Sequence, residues 1–374
     1  MKEFMKGFIE GPKYMGGVVL KWFRYIGIGS CTILTSKITV LVLVVCLIIG
    51  LTQISFGIES NKGGSEQEVF SDSDELDINY YYDEVKQNDY GNGTAITDMI
   101  ECYQKGSDLS EVSSDVIKVV NELDSLYDSN SKYFSFLYQD LFSGFTVSYN
   151  ENGSIFTAST IKAPAMIYIY EMASEGKIDL NEKLVYTSNF YHDGSGVLKN
   201  KKYNTEYTIE ELVQYTIYES DNIAYKMLNK RFGQDNIRDF WRTKGTKNIF
   251  ELSTIWGNTS AYDAMIYMKE LYEFSKKNEE YGSKLLEHFK KAKWKMITDK
   301  DGEFNTANKG GWSNQAIHDV AIVFDENPYI LVVMSNLGKG GYNYLFNETS
   351  RLVGELHDNY WKYKVALCSN IKMY

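Results

Sequence analysis

Residues 154–176 read SIFTASTIKAPAMIYIYEMASEG, a strand-like segment followed directly by a helix-like one. Ser154–Thr157 contains β-branched and aromatic residues typical of a strand. The helical run Thr160–Ser174 ends before Gly176, a residue type that commonly caps helix C-termini. The sequence therefore predicts that Ser159 stands where a short strand gives way to the N-terminus of a helix.

Ser159 and Lys162 are three residues apart, so on a helix their side chains share a face. A serine hydroxyl is a weak nucleophile and needs an adjacent base. A lysine can accept its proton if burial or a nearby cation lowers the pKa of the amine. The backbone N–H groups at a helix N-terminus can also stabilise charge on a carbonyl oxygen. On its own, this pair is weak evidence, and a capping serine with a surface lysine explains it better.

Two further motifs carry groups suited to the same chemistry. Ser220-Asp221-Asn222 lies between the predicted helices Ile209–Tyr218 and Ile223–Lys230, where it could be ordinary turn and N-cap sequence. Lys309-Gly310-Gly311 comes just before a predicted hairpin, and two glycines would let a ligand backbone approach an edge strand. Alone, that triplet is typical of a flexible loop.

The remaining pattern places strands near both ends of this region and helices between them. The predicted strands are Tyr133–Tyr138, Phe145–Tyr149, Ser154–Thr157, His318–Phe324 and Tyr329–Asn336. The predicted helices are Asp108–Leu126 with Ser110 as N-cap, most of 159–290, and about Asn347–Tyr363. Strands contributed by both ends predict a single sheet in an α+β fold.

The composition excludes several function classes. The 374-residue chain has a net charge of −11, which argues against nucleic acid as a partner. Its four cysteines include no C-x-x-C pair, which argues against a zinc ribbon or a dense disulfide scaffold. The four histidines are scattered without metal-ligand spacing, so no metal or cofactor is predicted.

The N-terminal third predicts a membrane anchor. Residues 38–58 carry no charge and are long enough for a transmembrane helix. Residues 1–37 hold six Lys/Arg against two acids, which predicts a cytoplasmic tail by the positive-inside rule. Residues 59–101 hold twelve Asp/Glu against two Lys, so 59–107 is predicted to be a solvated acidic stalk. A cleaved signal peptide is the alternative interpretation of the apolar run.

Taken together and in this order, the three motifs resemble the signature of class A β-lactamases and penicillin-binding proteins. Asp140-x-x-x-Gly144, Ser195–Leu198 and Asn258–Ala261 also resemble segments of that family. The resemblance covers about 110–365. It implies a class A β-lactamase-like domain over 108–366, with an antiparallel sheet, a helical subdomain and a short tail at 367–374.

The resemblance implies a role for each matching side chain. Ser159 would be the acylated nucleophile and Lys162 its proton acceptor. Ser220 would relay a proton to the leaving nitrogen. Lys309 would favour a substrate carboxylate and would help to keep Lys162 neutral by like-charge repulsion.

Substrate-binding roles follow from the same resemblance. Asn222 would hold an amide of the substrate side chain. The backbone N–H groups of Ser159 and Trp312 would form the oxyanion hole, next to Gly310 and Gly311. The first and last helices would pack side by side, so that an extracellular disulfide between Cys102 and Cys368, each flanking one of them, is an open alternative to free thiols.

The sequence departs from the family pattern in two places. Gly310 replaces a Thr or Ser whose hydroxyl binds the substrate carboxylate. The Glu-x-x-Leu-Asn of the omega loop is absent between Arg242 and Thr259, where Glu251 is the single carboxylate. Glu251 is either a deacylation base or a solvated loop residue. Because loss of a general base costs about 10²–10⁴ in rate, acylation could persist while deacylation becomes slow.

These inferences predict a single-pass type II membrane protein with an extracellular serine hydrolase domain. The expected substrate is a β-lactam or a D-alanyl-D-alanine-like amide of a peptidoglycan stem, attacked through an acyl-Ser159 ester. One alternative is a penicillin-binding D,D-peptidase with slow deacylation. Another is a non-hydrolytic wall-binding or β-lactam-sensing module. The natural substrate, the deacylation rate and the oligomeric state do not follow from the sequence.

Overall fold

The computed structural model describes residues 102–109, 111–128, 134–248, 255–336 and 342–368. The tail predicted at 1–37, the span predicted at 38–58 and the stalk up to residue 101 lie outside these residues, as do Ser110 and Glu251. Within the described ranges, no helix is both long enough and apolar enough to cross a bilayer.

The described residues form an antiparallel sheet with helices on both faces. In chain order the strands are β1 (Phe134–Asp140), β2 (Thr146–Tyr149), β3 (Ile155–Phe156), β4 (Lys183–Tyr186), β5 (Thr205–Thr208), β6 (Asn258–Thr259), β7 (Thr306–Trp312), β8 (Ile317–Val323) and β9 (Tyr329–Ser335). The helices are α1 (Ser114–Asp128), α2 (Lys162–Ser174), α3 (Ile209–Tyr218), α4 (Asn222–Phe232), α5 (Gln234–Thr243), α6 (Ala261–Lys277), α7 (Lys284–Lys290) and α8 (Tyr342–Cys368).

Strands from both ends of the domain make one five-stranded sheet in the order β2-β1-β9-β8-β7. Strand β9 sits at its centre and pairs with β1 on one side and β8 on the other. Two small pairs, β3 with β6 and β4 with β5, stand apart from it. The predicted α+β class and a main sheet built from both ends of the domain are therefore confirmed, but the strand predicted at Ser154–Thr157 lies outside that sheet, paired with β6.

Strand β7 corrects one prediction from the sequence. Lys309-Gly310-Gly311 was expected just before the closing hairpin, but it lies inside β7, which pairs with β8 along its length. The two glycines hide the alternation by which a strand is recognised, because they add no side chain to either face. The triplet thus occupies an edge strand of the sheet.

Both faces of the sheet are buried, as β9 shows. All seven of its residues are buried, and they alternate between two hydrophobic clusters. Ile330 and Val332 pack in the cluster that contains α2 and α6, whereas Leu331 and Val333 pack in the cluster that contains α1 and α8. This two-sided burial explains why β9 reads as a continuous apolar run rather than as an alternating one.

The terminal helices are positioned differently from their predicted bounds. Helix α1 begins at Ser114, where the Val116 N–H donates to Ser113 Oγ at 3.4 Å, rather than at Asp108. Helix α8 extends to Cys368, beyond the predicted end at Tyr363. A disulfide joins Cys102 to Cys368 across 266 residues of sequence, so the pairing that the sequence left open is present.

Removal of this disulfide is expected to lower the free energy of unfolding. A bond that closes so long a loop restricts the unfolded chain, and loss of a native disulfide typically costs about 2–5 kcal/mol. Urea unfolding of the C102A/C368A variant should show a correspondingly lower midpoint. A reducing agent should shift the midpoint of the wild type but not that of the variant; an equal shift in both would contradict the assignment.

Candidate active site

Ser159 lies in a single turn of 3-10 helix, Ala158–Ile161, that leads straight into α2. Ala158 has a φ of +43°, which is unusual for a residue with a side chain. Thr157 fixes the entry to this turn: its N–H donates to Gly257 O at 2.9 Å, and its carbonyl accepts from Thr160 Oγ1 at 2.7 Å. Strained residues held by their surroundings are common at functional sites.

The Lys162 amine is buried and lies within hydrogen-bonding distance of four oxygens. Its Nζ is 2.6 Å from Ser220 O and 2.7 Å from Asn222 Oδ1. The two hydroxyls are further away, Ser159 Oγ at 3.1 Å and Ser220 Oγ at 3.2 Å. A carbonyl and an amide oxygen can only accept, so they take both N–H groups of a neutral amine. The lone pair is then left for a hydroxyl, which is the arrangement a general base requires.

The surroundings of Lys162 favour that neutral amine. The pKa of Lys162 lies well below its usual value, mainly because the amine is buried. The nearby Lys309 ammonium lowers this pKa further. The Asp221 carboxylate acts in the opposite direction. The predicted like-charge effect of Lys309 is therefore present but is secondary to desolvation.

Ser220 connects the two lysines. Its Oγ lies 3.2 Å from Lys162 Nζ and accepts from Lys309 Nζ at 3.0 Å. The residue has a φ of +50°, which turns the backbone carbonyl towards Lys162 as well. The structure thus brings Ser159, Lys162, Ser220 and Lys309 into one connected set, as the resemblance implied.

Asp221 is a positioning residue that the sequence analysis treated as turn sequence. One carboxylate oxygen caps α4 by accepting from the N–H groups of Ile223 and Ala224. The other accepts from the N–H groups of Val197 and Leu198 at 2.6 and 2.8 Å. Asp221 therefore fastens the 195–198 segment to the turn that holds Ser220.

Gly196 shows how close that contact is. A Cβ at Gly196 would lie 2.2 Å from Asp221 Oδ2, and the residue has a φ of +114°. From the sequence, the contact between Gly196 and Asp221 could have been inferred only through the family resemblance, because no local motif contains both residues.

Asn222 faces Lys162 on one side and the cleft rim on the other. Its Oδ1 accepts from Lys162, and its Nδ2 donates to Asp193 O at 3.1 Å. In the structure both ends of the amide are thus bound within the protein. The predicted contact with a substrate amide would have to replace or share the bond to Asp193.

Lys309 and Asp319 are both fully buried and affect each other electrostatically. Burial lowers the pKa of Lys309 to about 7, against the opposing effect of Asp319. Burial raises the pKa of Asp319 to about 6, while hydrogen bonds from the Ile297 and Met296 N–H groups oppose that rise. Lys309 Nζ also donates to Gly310 O at 2.8 Å, which aims the ammonium along β7 towards Ser220.

The backbone of β7 carries the N–H of Trp312, to which the resemblance assigns the second position of an oxyanion hole. The Ser313 N–H donates to Ala316 O at 2.8 Å, so 313 and 316 form a hydrogen-bonded pair next to Trp312 and Ile317. Hydrogen-bonded and non-hydrogen-bonded pairs alternate in an antiparallel ladder, so the Trp312 N–H points away from β8. Because β7 is an edge strand, this N–H lies on the side of the strand away from β8, and the neighbouring Gly311 is in contact with the turn that carries Ser159.

Gly311 allows β7 to approach the nucleophile. A Cβ at this position would lie 2.9 Å from Ser159 N and 2.8 Å from Thr160 N. Any side chain would push the strand away from the turn that carries Ser159. A glycine is needed here because a side chain would separate the Ser159 and Trp312 N–H groups, and two donors can act on one oxygen only if they lie close together.

Gly310 has a different explanation. A Cβ there would lie 2.8 Å from the backbone carbonyl oxygen of Trp294. The space that a threonine or serine would need is thus occupied by the 293–297 segment. The departure from the family pattern at Gly310 therefore provides the room that the Trp294 backbone needs.

The arrangement combines the parts of serine acyl transfer. A hydroxyl, a neutral amine base, a relay hydroxyl, a buried cation and two N–H donors lie around one cleft. Within the described ranges, no cluster of three or more His, Cys, Asp or Glu side chains offers a metal site. Glu251 lies outside those ranges.

The model of the β-lactamase enzyme family matches residues 118–361, and the chain belongs to this family. Its fold is that of the class A β-lactamases. No curated protein matches the sequence.

Solved structures agree with this assignment of the fold. A mutant of PBP-A in an acyl-enzyme complex with penicillin G is 20% identical with a TM-score of 0.59, covering 65% of this chain and 97% of that one. The β-lactamase from Sphaerobacter thermophilus is 21% identical with a TM-score of 0.55, covering 64% and 95%. An ancestral class A β-lactamase is 17% identical with a TM-score of 0.57, covering 63% and 99%.

Gly311→Ala is expected to lower the acylation rate of Ser159 by about 100-fold or more. The added methyl must displace β7 or the nucleophile turn, and misplacement by about 1 Å can cost ~10² in rate. The measurement is the second-order rate of covalent labelling by a β-lactam. Gly144→Ala is the control, because Gly144 has a positive φ of +73° but open space around its Cβ position. A wild-type rate in folded G311A would contradict the close approach.

The acylation rate is expected to depend on pH through both lysines. Lys309 attracts an anionic substrate only when protonated, and its pKa is about 7, so the rate should fall as the pH rises above that value. Lys162 is a base only when neutral, so the rate should also fall at a pH below its own lowered pKa.

Lys309→Arg tests the alkaline limb. A guanidinium stays protonated across this range, so the alkaline limb should move beyond pH 9 whatever the absolute rate of the variant. The rate of β-lactam labelling measured from pH 5 to pH 10 gives the profile. An alkaline limb at the same position in K309R and wild type would exclude Lys309 as its origin.

Proposed function

We propose that this protein is a serine acyl-transfer enzyme that forms an ester on Ser159 with a β-lactam or a D-alanyl-D-alanine-like amide. The observation that carries the proposal is the Lys162 amine, buried and 3.1 Å from Ser159 Oγ. Membership of the β-lactamase enzyme family supports the same chemistry.

In the proposed reaction, one proton moves from Ser159 to Lys162 and then through Ser220 to the leaving nitrogen. Ser159 Oγ attacks the amide carbonyl carbon while its proton passes to Lys162. The carbonyl oxygen becomes an oxyanion that accepts from the N–H groups of Ser159 and Trp312. The proton then passes through Ser220 to the leaving nitrogen, the C–N bond breaks, and an acyl ester remains on Ser159.

The charge distribution supports the proposed substrate class. A β-lactam and a D-alanyl-D-alanine terminus each carry an amide carbonyl close to a carboxylate. Lys309 lies 3.0 Å from the relay hydroxyl of Ser220 and can attract that carboxylate on the leaving-group side. PBP-A, whose fold is similar, forms an acyl-enzyme complex with penicillin G.

Slow deacylation is part of the proposal, because among the described residues no carboxylate is hydrogen-bonded to the base and two aromatic rings lie beside it. Lys162 Nζ lies 5.4 Å from the ring centre of Trp256 and 5.9 Å from that of Tyr225. Among the described residues, the hydrogen-bond partners of Lys162 are hydroxyl, carbonyl and amide oxygens. This environment favours the penicillin-binding alternative over rapid β-lactam turnover, unless Glu251 supplies a base.

We also propose that the enzyme acts outside the cell, anchored by residues 38–58 with 59–107 as spacer. The uncharged span and the basic residues before it support this location. The Cys102–Cys368 disulfide supports it independently, because such bonds persist in oxidising compartments and are rare in the cytosol.

Incubation of the full chain with a fluorescent penicillin tests the proposal. We expect stable label on Ser159, located by peptide mass mapping, with a lifetime of minutes or longer. Ser159→Ala should abolish the label, and Ser154→Ala, at an exposed serine five residues away, should retain it.

Two results would change this conclusion. Equal labelling of wild type and S159A would show that Ser159 is not the nucleophile. Label that forms and decays within a second would retain the nucleophile but would replace slow deacylation with β-lactamase turnover.

A further inference from the structure

Two tryptophans stand together on the surface next to the site. Trp294 is 52% exposed and Trp312 is 46% exposed. Their ring centres are 6.5 Å apart and the planes are tilted by 54°. Half-exposed indoles in contact form an apolar surface of the kind that binds ligands. The catalytic role argued above uses only the backbone N–H of Trp312 and leaves both rings unassigned.

The segment that carries Trp294 is fastened to the catalytic core on both sides. The Lys293 N–H donates to Tyr218 O at 3.2 Å, two residues before the relay serine. Lys295 Nζ donates to Thr306 O at 2.7 Å, at the start of β7. The N–H groups of Met296 and Ile297 donate to Asp319 Oδ2 at 2.7 and 2.9 Å. An exposed ring on so firmly held a backbone is preorganised for binding.

Strand alternation places the ring of Trp312 on the Trp294 side of β7, next to the edge along which the proposed substrate would lie. The Cβ direction of Gly311 points to Ser159, whereas that of Gly310 points to the Trp294 backbone. Successive side chains alternate, so the Trp312 side chain lies on the same face as Gly310. The Trp294 backbone occupies the space of the missing side chain at Gly310, which brings Trp294 against the edge of β7.

The orientation of a substrate attacked by Ser159 determines which part of it would contact the two indoles. The scissile carbonyl oxygen sits between Ser159 and Trp312 N–H groups, and the leaving nitrogen must reach Ser220. The 293–297 segment lies on the Ser220 side, through its bond to Tyr218. The groups that meet the indoles are therefore attached to the leaving nitrogen and not to the acyl carbon.

We propose that Trp294 and Trp312 form a subsite that selects substrates with a flat aromatic ring on the leaving-group side. The subsite takes the place of the hydroxyl that is absent at Gly310, so that ring stacking replaces a hydrogen bond in this part of the cleft. Lys309 still attracts the carboxylate. The inference rests on acylation of Ser159 as proposed above.

Two cephalosporins with the same thienylacetyl acyl group test the subsite. Nitrocefin carries a dinitrostyryl ring at position 3, and cephalothin carries an acetoxymethyl group there. The measurement is the second-order acylation rate of the full chain by each compound, from competition with fluorescent penicillin labelling. The second-order acylation rate does not include deacylation, and comparison of the ratio between variants removes the intrinsic reactivity of each compound.

Trp294→Ala is expected to lower the nitrocefin-to-cephalothin ratio about five- to tenfold, in line with the contribution of an aromatic pair. Trp294→Phe, which keeps a flat ring, should retain most of the ratio. Tyr344→Ala is the matched control, because Tyr344 is an exposed aromatic residue on α8.

The outcomes separate this inference from the proposed function. An unchanged ratio in W294A, with Ser159 still labelled, would overturn the subsite and leave the acyl-transfer function in place. A ratio lowered equally by Y344A would also overturn it. Failure of both compounds and of penicillin to label the wild type would overturn the subsite together with the function on which it rests.

Discussion

The site depends on an amine that is buried with only neutral hydrogen-bond partners. Lys162 would ordinarily be charged, and burial of an unpaired ammonium is among the most unfavourable arrangements in a protein. Here two fixed acceptors, Ser220 O and Asn222 Oδ1, satisfy the N–H groups of the neutral form and leave its lone pair towards a hydroxyl. The fold thus stabilises the protonation state that can take a proton from Ser159.

Much of the surrounding structure keeps those two acceptors in place. Ser220 holds a left-handed backbone conformation that a side chain normally disfavours, and Asp221 offsets that cost with hydrogen bonds to both α4 and the 195–198 segment. The 3-10 turn at Ala158 and the glycine at 311 bring the nucleophile and the edge strand together from the opposite direction. Strain and close approach occur at the residues where the chemistry is placed, as is common for active sites.

The sequence predicted the main features of the site because they are carried by short motifs in a fixed order. Ser159, Lys162, Ser220 and Lys309 were each ambiguous alone and became specific together, and the structure joins them. The α+β class and helix Ile209–Tyr218 also followed from local pattern. The sequence could not predict contacts between distant segments, such as the hydrogen bonds from 296–297 to Asp319 and the exclusion of a side chain at Gly310 by the Trp294 carbonyl. It also did not predict that Lys309-Gly310-Gly311 lies within a strand. Glycines carry no periodicity, and long-range packing leaves no local signal. The roles of Glu251 and of residues 38–58 remain predictions.

The bond between Cys102 and Cys368 gives the domain a particular topology. It closes a covalent ring that contains every described residue between those two cysteines, the nucleophile and both lysines included. A protease that cuts one peptide bond within the ring opens it without releasing a fragment. The two halves of the sheet, which come from opposite ends of the sequence, would stay joined through sulfur. A single nick would therefore leave the residues around Ser159 within one covalent molecule.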